Sequence, residues 1–417
     1  MCSPAHWRVE VDAVRTMYVP TMFHRRTAAA LMRQTITMQQ RRTISLTPCG
    51  HPLIDMSALK ANCAIATSDL RTALLHHGYF YAANVSELPT SYIQSLYDYS
   101  TKCHSLSTQI KHKYRQRDGG TGAYSGPDIG QPELQYEAGK LARVHGWDYS
   151  RAQFSLAASA LYSGNNSDKA ACSHEERYPN NDEIHPSFVT VLDECYSRQN
   201  DLARVILTGF ERALDLPPKT LLDMFDAEGG DFGTIRLLYY GDGSSSSSNN
   251  DGSSDDDIDV DDDATTGIGA HTDFECFTLM HQTAQGLQIL PRCLNGHSQE
   301  WMDLPVRTSE FVVIIGDMLE RLTNGTLLAT PHRVLPMKHA RQSIIRFNAF
   351  APSTLIAPLK QFVSEEQPVA YSPVSMSTHM EVTMKNLEAG MGSWDTKNQR
   401  STSANYDYGG EWHVLEV

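Results

Sequence analysis

From residue 232 onward the hydrophobic rhythm of the chain is that of short strands separated by turn signals: "TIRLLYY", "GAHTDFECFTLM", "GLQIL", "FVVIIGD", "HRVLP" and "SIIRFNAFAP". Repeated short runs rich in β-branched and aromatic residues predict an all-β barrel or sandwich. Before that point the rhythm is helical. Phe188, Leu192, Cys195, Leu202, Val205, Ile206, Phe210 and Leu214 predict one long core helix from Ser187 to Leu214, ended by "LDLPPK". Before it, "TSDLRTALLHHGYFYAANV" predicts a helix stopped at Gly78 and feeding a strand.

Within the strand-rich half, His271 and Asp273 stand two apart in "GAHTDFECFTLM". In an extended chain, side chains at i and i+2 leave the same face, so the spacing alone permits chelation. Any half-wet strand shows such an alternation, and a third ligand is needed. His332 in "NGTLLATPHRVLP" opens another predicted strand after a turn signal and supplies it. Two imidazoles and a carboxylate form the facial triad of non-haem Fe(II) oxygenases, with coordination positions left for a cosubstrate and dioxygen. A zinc hydrolase could use the same ligand types with a nearby general base, for which Glu275 is the candidate. Further on, alternation in "HARQSIIRFNAF" puts Arg341, Ser343, Ile345 and Phe347 on one face. A guanidinium beside a hydroxyl on an apolar strand suits a carboxylate. Arg346 falls on the other face, toward solvent, a helix or a substrate acid.

The order "RLLYY", "HTDFECFTLM", "GLQIL", "GDMLERLTNG", "PHRVLP", "RQSIIRFNAFAP" resembles the Fe(II)- and 2-oxoglutarate-dependent dioxygenases of the isopenicillin N synthase-like family. The likeness runs from about residue 50, where "HPLIDMSAL", "HHGYFYAANV" and "TGAYSG" follow that family's order. It implies a mainly β fold with flanking helices around a double-stranded β-helix (jelly-roll) core. It also implies iron held by His271, Asp273 and His332, the distal carboxylate of 2-oxoglutarate held by Arg341 and Ser343, and a further hydroxyl from Tyr240. Many relatives carry Pro after that Tyr, whereas "YYGDG" continues here into an Asp-rich tract. The implied reaction is hydroxylation, desaturation or ring closure of a small organic substrate by O2, with succinate and CO2 released and ascorbate supportive. Two alternatives stay open: an oxidase that uses the triad without 2-oxoglutarate, as isopenicillin N synthase does, and a non-catalytic binding protein on the same fold. Loops around Tyr124 and Trp147 and the tail from Tyr371 to Trp412 are the expected determinants of specificity.

On this reading residues 1–46 are a basic, disordered leader, 47–185 an N-terminal α/β region, 186–231 the long helix and its connection, 232–360 the jelly-roll domain and 361–417 a C-terminal segment. The leader has no acidic residue between Ala13 and Ile54 but six Arg, which resembles a mitochondrial targeting segment; without that role the expected location is cytoplasmic. The insertion 243–266 carries eight Asp and no Lys or Arg, more than half of the formal charge of -14, and reads as a disordered loop. The remaining body is only mildly acidic and has no basic patch for nucleic acid. No stretch approaches a membrane span, and a monomer is expected. The eight cysteines are scattered without C-x-x-C spacing, as suits free thiols.

Overall fold

A computed structural model of the chain describes residues 44–116, 123–131, 136, 141–142, 144–151, 177–227, 232–241, 265–292, 300–336, 339–398, 400–409 and 414–416. The basic leader up to residue 43 and the acidic tract from 242 to 264 lie outside the described residues. Thr43–Val363 and Val369–Val417 make up one unit, from which Ser364–Pro368 is grouped apart.

Among the described residues, twelve strands build two sheets. In chain order they are β1 (Leu53–Asp55), β2 (Tyr79–Ala83), β3 (Tyr124–Ser125), β4 (His145–Tyr149), β5 (Thr234–Tyr240), β6 (Ile268–His271), β7 (Phe277–Gln282), β8 (Leu287–Ile289), β9 (Met302–Asp303), β10 (Phe311–Ile315), β11 (His332–Val334) and β12 (Arg341–Asn348). The larger sheet runs β1-β2-β10-β7-β12-β5-β4-β3 and the smaller β9-β8-β11-β6. From β5 to β12 the chain passes repeatedly from one sheet to the other, which is the winding of a jelly roll. Four strands from the region before residue 150 extend the larger sheet at both ends.

The sheets close over an apolar interior. Leu238, Tyr240, Met280 and Ile345 from the larger sheet pack with Ile268, Leu287, Ile289 and Val334 from the smaller. The helices cover the other face of the larger sheet. These are α1 (Met56–Lys60), α2 (Ala64–His76), α3 (Thr90–His104), α4 (Thr108–Lys113), α5 (Phe188–Ala213), α6 (Thr220–Phe225), α7 (Asp317–Leu322) and α8 (Met376–Glu388). The long α5 begins where its sequence requires, with the Ser187 hydroxyl accepting from the Thr190 N–H as an N-cap. Its apolar stripe, Phe188, Leu192, Cys195, Leu202, Ile206 and Phe210, is fully buried. Near its end the buried Glu211 side chain accepts from the backbone N–H groups of Lys219, Leu221 and Leu222 and so serves the orphan donors at the start of α6.

Gly78 ends the turn after α2 with φ +79°, a conformation that favours glycine. A Cβ there would also meet Thr330 Oγ1 at 2.2 Å, so this glycine lets α2 feed β2 beside the chain that leads into β11. Cys49, Cys63, Cys103, Cys195 and Cys276 are free thiols. No helix among the described residues is long and apolar enough to cross a membrane.

One strand prediction is corrected. "GAHTDFECFTLM" is two strands in different sheets, β6 ending at His271 and β7 beginning at Phe277. The break is stabilised by α7, whose first N–H groups have no helical partner: Asp317 N–H donates to the Asp273 carbonyl and Met318 N–H to that of Glu275. His271 and Asp273 therefore converge through a turn at a strand end, and strand alternation is not the cause.

Candidate metal and anion site

β11 lies antiparallel to β6 with His332 opposite His271. Nε2 of His271 stands 3.6 Å from Oδ1 of Asp273, and Nε2 of His332 stands 3.5 Å from the same oxygen. Their ligand atoms all lie within 4.8 Å of one another, and all three residues are buried. Each imidazole is oriented by its other nitrogen, His271 Nδ1 at 2.8 Å from the Gly269 carbonyl and His332 Nδ1 at 3.1 Å from that of Thr330. A carbonyl only accepts, so both rings carry a proton on Nδ1 and turn Nε2 toward Asp273. Asp273 Oδ2 accepts from the Thr278 hydroxyl, which leaves Oδ1 for the histidines. Burial, then the neighbouring His332, pushes the His271 pKa down to about 3, so this ring is neutral over the physiological range. Two imidazole nitrogens and a carboxylate oxygen converging at this distance fit a divalent cation, and two imidazoles with one carboxylate are the donor set of non-haem iron.

Glu275, the candidate base of the hydrolase alternative, is buried, and burial, then Asp273, pushes its carboxyl up to about 8 in the metal-free chain.

The anion-binding candidates sit on the facing sheet. Arg341 is opposite Tyr240 in the pairing of β12 with β5, and its guanidinium carbon lies 4.6 Å from the Tyr240 ring centroid. Its Nη2 donates to Gln282 Oε1 at 2.8 Å and its Nε to the Ala284 carbonyl at 3.3 Å. Arg341 is fully buried, yet its Nη1 and the Ser343 hydroxyl, two residues along, have no partner among the described residues. A buried charge with an unsatisfied donor beside an unsatisfied hydroxyl fits a bound carboxylate.

Arg346 takes the opposite face. Its guanidinium carbon lies 3.6 Å from the Tyr196 ring of α5, and it makes long contacts to Asn348 and Asn200. It serves the helix-to-sheet contact, not the barrel interior. Tyr124 and Trp147, around which specificity loops are expected, are themselves buried in the helix-side core, and Trp412 lies outside the described residues. Tyr371 donates to Glu320 at 2.8 Å.

Several site residues gave no signal in the sequence. Tyr136 stacks on His271, with ring centroids 4.2 Å apart and planes 22° apart. Arg236 on β5, paired to Asp148 on β4 with Nε to Oδ1 at 2.7 Å, adds to the forces that hold His271 neutral. Gln282 orients Arg341, and Thr278 orients Asp273. Thr278 lies five residues from Asp273, but the others act across long sequence separations that no local pattern encodes; only the alternation that puts Arg236 on the face of Leu238 and Tyr240 could have marked it.

Comparison with known proteins agrees with this geometry. The 2OG-Fe(II) oxygenase superfamily matches residues 244–349. The chain is 30% identical over 213 residues to the 2-oxoglutarate-Fe(II) type oxidoreductase ppzD of Metarhizium rileyi, covering 48% of this chain and 54% of that protein. It is 36% identical over 119 residues to 1-aminocyclopropane-1-carboxylate oxidase homolog 10 of Arabidopsis thaliana, covering 27% of this chain and 31% of the relative. The chain thus spans about half the length of these curated relatives or less. In fold it is similar to JOX2 in complex with 2OG, Fe and JA, at 17% identity, TM-score 0.58, and coverage of 84% of this chain and 92% of that one. It is also similar to the dioxygenase for auxin oxidation of rice, at 16% identity, TM-score 0.56, and coverage of 85% and 98%. The segment that carries His271, Asp273, His332, Arg341 and Ser343 thus matches the 2OG-Fe(II) oxygenase superfamily, which the isopenicillin N synthase-like resemblance fits.

Proposed function

We propose that the protein is an Fe(II)- and 2-oxoglutarate-dependent dioxygenase that oxidises a small organic substrate with O2 and releases succinate and CO2. Residues 232–360 are its catalytic region. His271, Asp273 and His332 hold the metal, and Arg341, Ser343 and Tyr240 receive the distal carboxylate of the cosubstrate. The observation that carries this reading is the fully buried Arg341, whose Nη1 lies unpartnered beside the unpartnered Ser343 hydroxyl on the sheet that faces the triad. The partially matching relatives support it, as does the fold of JOX2, solved with 2OG and Fe.

When bound, iron and 2-oxoglutarate supply the oxidising chemistry. The chain supplies positioning. Carbonyls at Gly269 and Thr330 fix the imidazole tautomers, Thr278 turns the Asp273 carboxylate, and Gln282 holds the Arg341 fork in place. The apolar interior of Leu238, Ile268, Leu287 and Val334 keeps water away and strengthens the Arg341–carboxylate attraction.

The test is a screen of metabolite extracts for substrate-dependent succinate release in the presence of Fe(II), 2-oxoglutarate and ascorbate. Succinate that appears only with protein and extract is the expected result. Substrate oxidation without succinate would instead favour the oxidase that uses no 2-oxoglutarate.

A further inference from the structure

The turn that presents His271 and Asp273 is tied to a part of the chain more than a hundred residues further along the sequence. Thr272, between them, faces away from the triad and is buried, and its hydroxyl donates to Asp317 Oδ1 at 2.7 Å. Asp317 Oδ2 accepts from Ser403 Oγ at 2.5 Å, and His379 Nε2 stands 3.5 Å from it. Ser401 Oγ lies 2.8 Å from Ser403 Oγ and extends the chain of hydroxyls. Asp317, Ser403 and His379 are fully buried. The Asp317 backbone N–H also donates to the carbonyl of Asp273 at 2.9 Å, so this one residue grips the turn by main chain and side chain.

The same C-terminal segment reaches the other side of the first candidate ligand. Ser393 N–H donates to the carbonyl of Tyr136, whose ring stacks on His271. Trp394 packs with Ala270, the residue before His271. Ser393, Trp394 and Ser403 thus reach the turn through Tyr136, through Ala270 and through the bridge from Thr272 to Ser403.

We propose that Asp317 is a positioning residue of the metal centre: it clamps Thr272 to Ser403, so that the C-terminal segment sets the direction in which His271 and Asp273 present their ligand atoms. The idea rests on the metal-binding role proposed above. Groups that orient ligands from behind typically change metal affinity by about 10- to 100-fold when removed.

Co(II), which reports ligand geometry through its visible bands, tests the clamp in the full-length protein. Thr272→Val and Ser403→Ala should each weaken Co(II) binding by about tenfold or more and alter the bands, whereas Thr272→Ser, which keeps the hydroxyl, should bind near wild type. Thr323→Val is the control for lost stability. It removes a buried hydroxyl at the end of the same helix, one that bonds Leu319 and Leu327 and does not touch Asp317. Wild-type affinity and bands in both Thr272→Val and Ser403→Ala would overturn the clamp while leaving the metal site intact. Equal weakening in Thr323→Val at a matched loss of melting temperature would overturn it as well, because the effect would then be general. Failure of the wild type to bind Co(II) would instead remove the metal reading on which the clamp depends.

Discussion

His332 stands opposite His271 in the pairing of β11 with β6, their ring centroids 4.3 Å apart, and the register slips immediately after His332. Two side chains far apart in the chain are thus fixed by one backbone pairing, and neither is needed for the apolar core. His271→Ala or His332→Ala should therefore abolish iron binding and turnover while melting changes by only a few degrees. Metal analysis of the purified variants beside their thermal unfolding curves checks this.

The Glu275 carboxyl gives the metal-free protein a distinct pH dependence. Its folded pKa is raised from 4.5 to about 8, so the folded state holds a proton that the unfolded state releases between those values. Stability should fall as pH rises from about 4.5 toward 8. Glu275→Gln removes the titration, and its denaturation midpoint, measured by urea at several pH values without metal, should lose that part of the decline.

Gly316 precedes α7 and passes under the Asp273 turn. A Cβ there would lie 2.4 Å from the Glu275 carbonyl and 3.1 Å from that of Asp273, backbone atoms that cannot move without displacing the turn. Gly316→Ala should cost about 1–3 kcal/mol of stability and weaken metal binding, both read from melting and Co(II) titration.

The jelly-roll strands were legible because alternation and turn residues are local signals. The boundaries of β5 coincide with "TIRLLYY", and the inward face of Arg341 and Ser343 follows from period two on β12. The break between β6 and β7 was not legible. It depends on N–H groups of α7, far along the chain, which override the strand propensity of Thr272 and Phe274. Tyr136, Gln282, Asp317 and Ser403 were missed for the same reason: a single polar or aromatic residue has no period, and its role appears only when distant segments meet.

Arg341 and Arg346 lie on one strand and take opposite faces of it. Arg346 sits on the Tyr196 ring against α5, and Arg346→Ala should cost about 2–4 kcal/mol of stability through lost cation–π contact and packing. The apparent affinity for 2-oxoglutarate should be unchanged. Thermal unfolding and 2-oxoglutarate titration of this variant check both halves.

The central claim is that the His271–Asp273–His332 triad holds iron and that Arg341, with Ser343, holds the cosubstrate carboxylate. Anaerobic titration of the Fe(II) protein with 2-oxoglutarate tests it, through the visible charge-transfer band that a chelated 2-oxo acid gives with iron. The wild type should develop the band and His332→Ala should not. Arg341→Ala should bind 2-oxoglutarate more weakly by about 2–5 kcal/mol, roughly 30-fold to several-thousand-fold. Ser343→Ala should lose about 1 kcal/mol, since one hydroxyl bond goes while the guanidinium stays. A wild type with no band at millimolar 2-oxoglutarate, or an Arg341→Ala protein that binds it as tightly as wild type, would contradict the account.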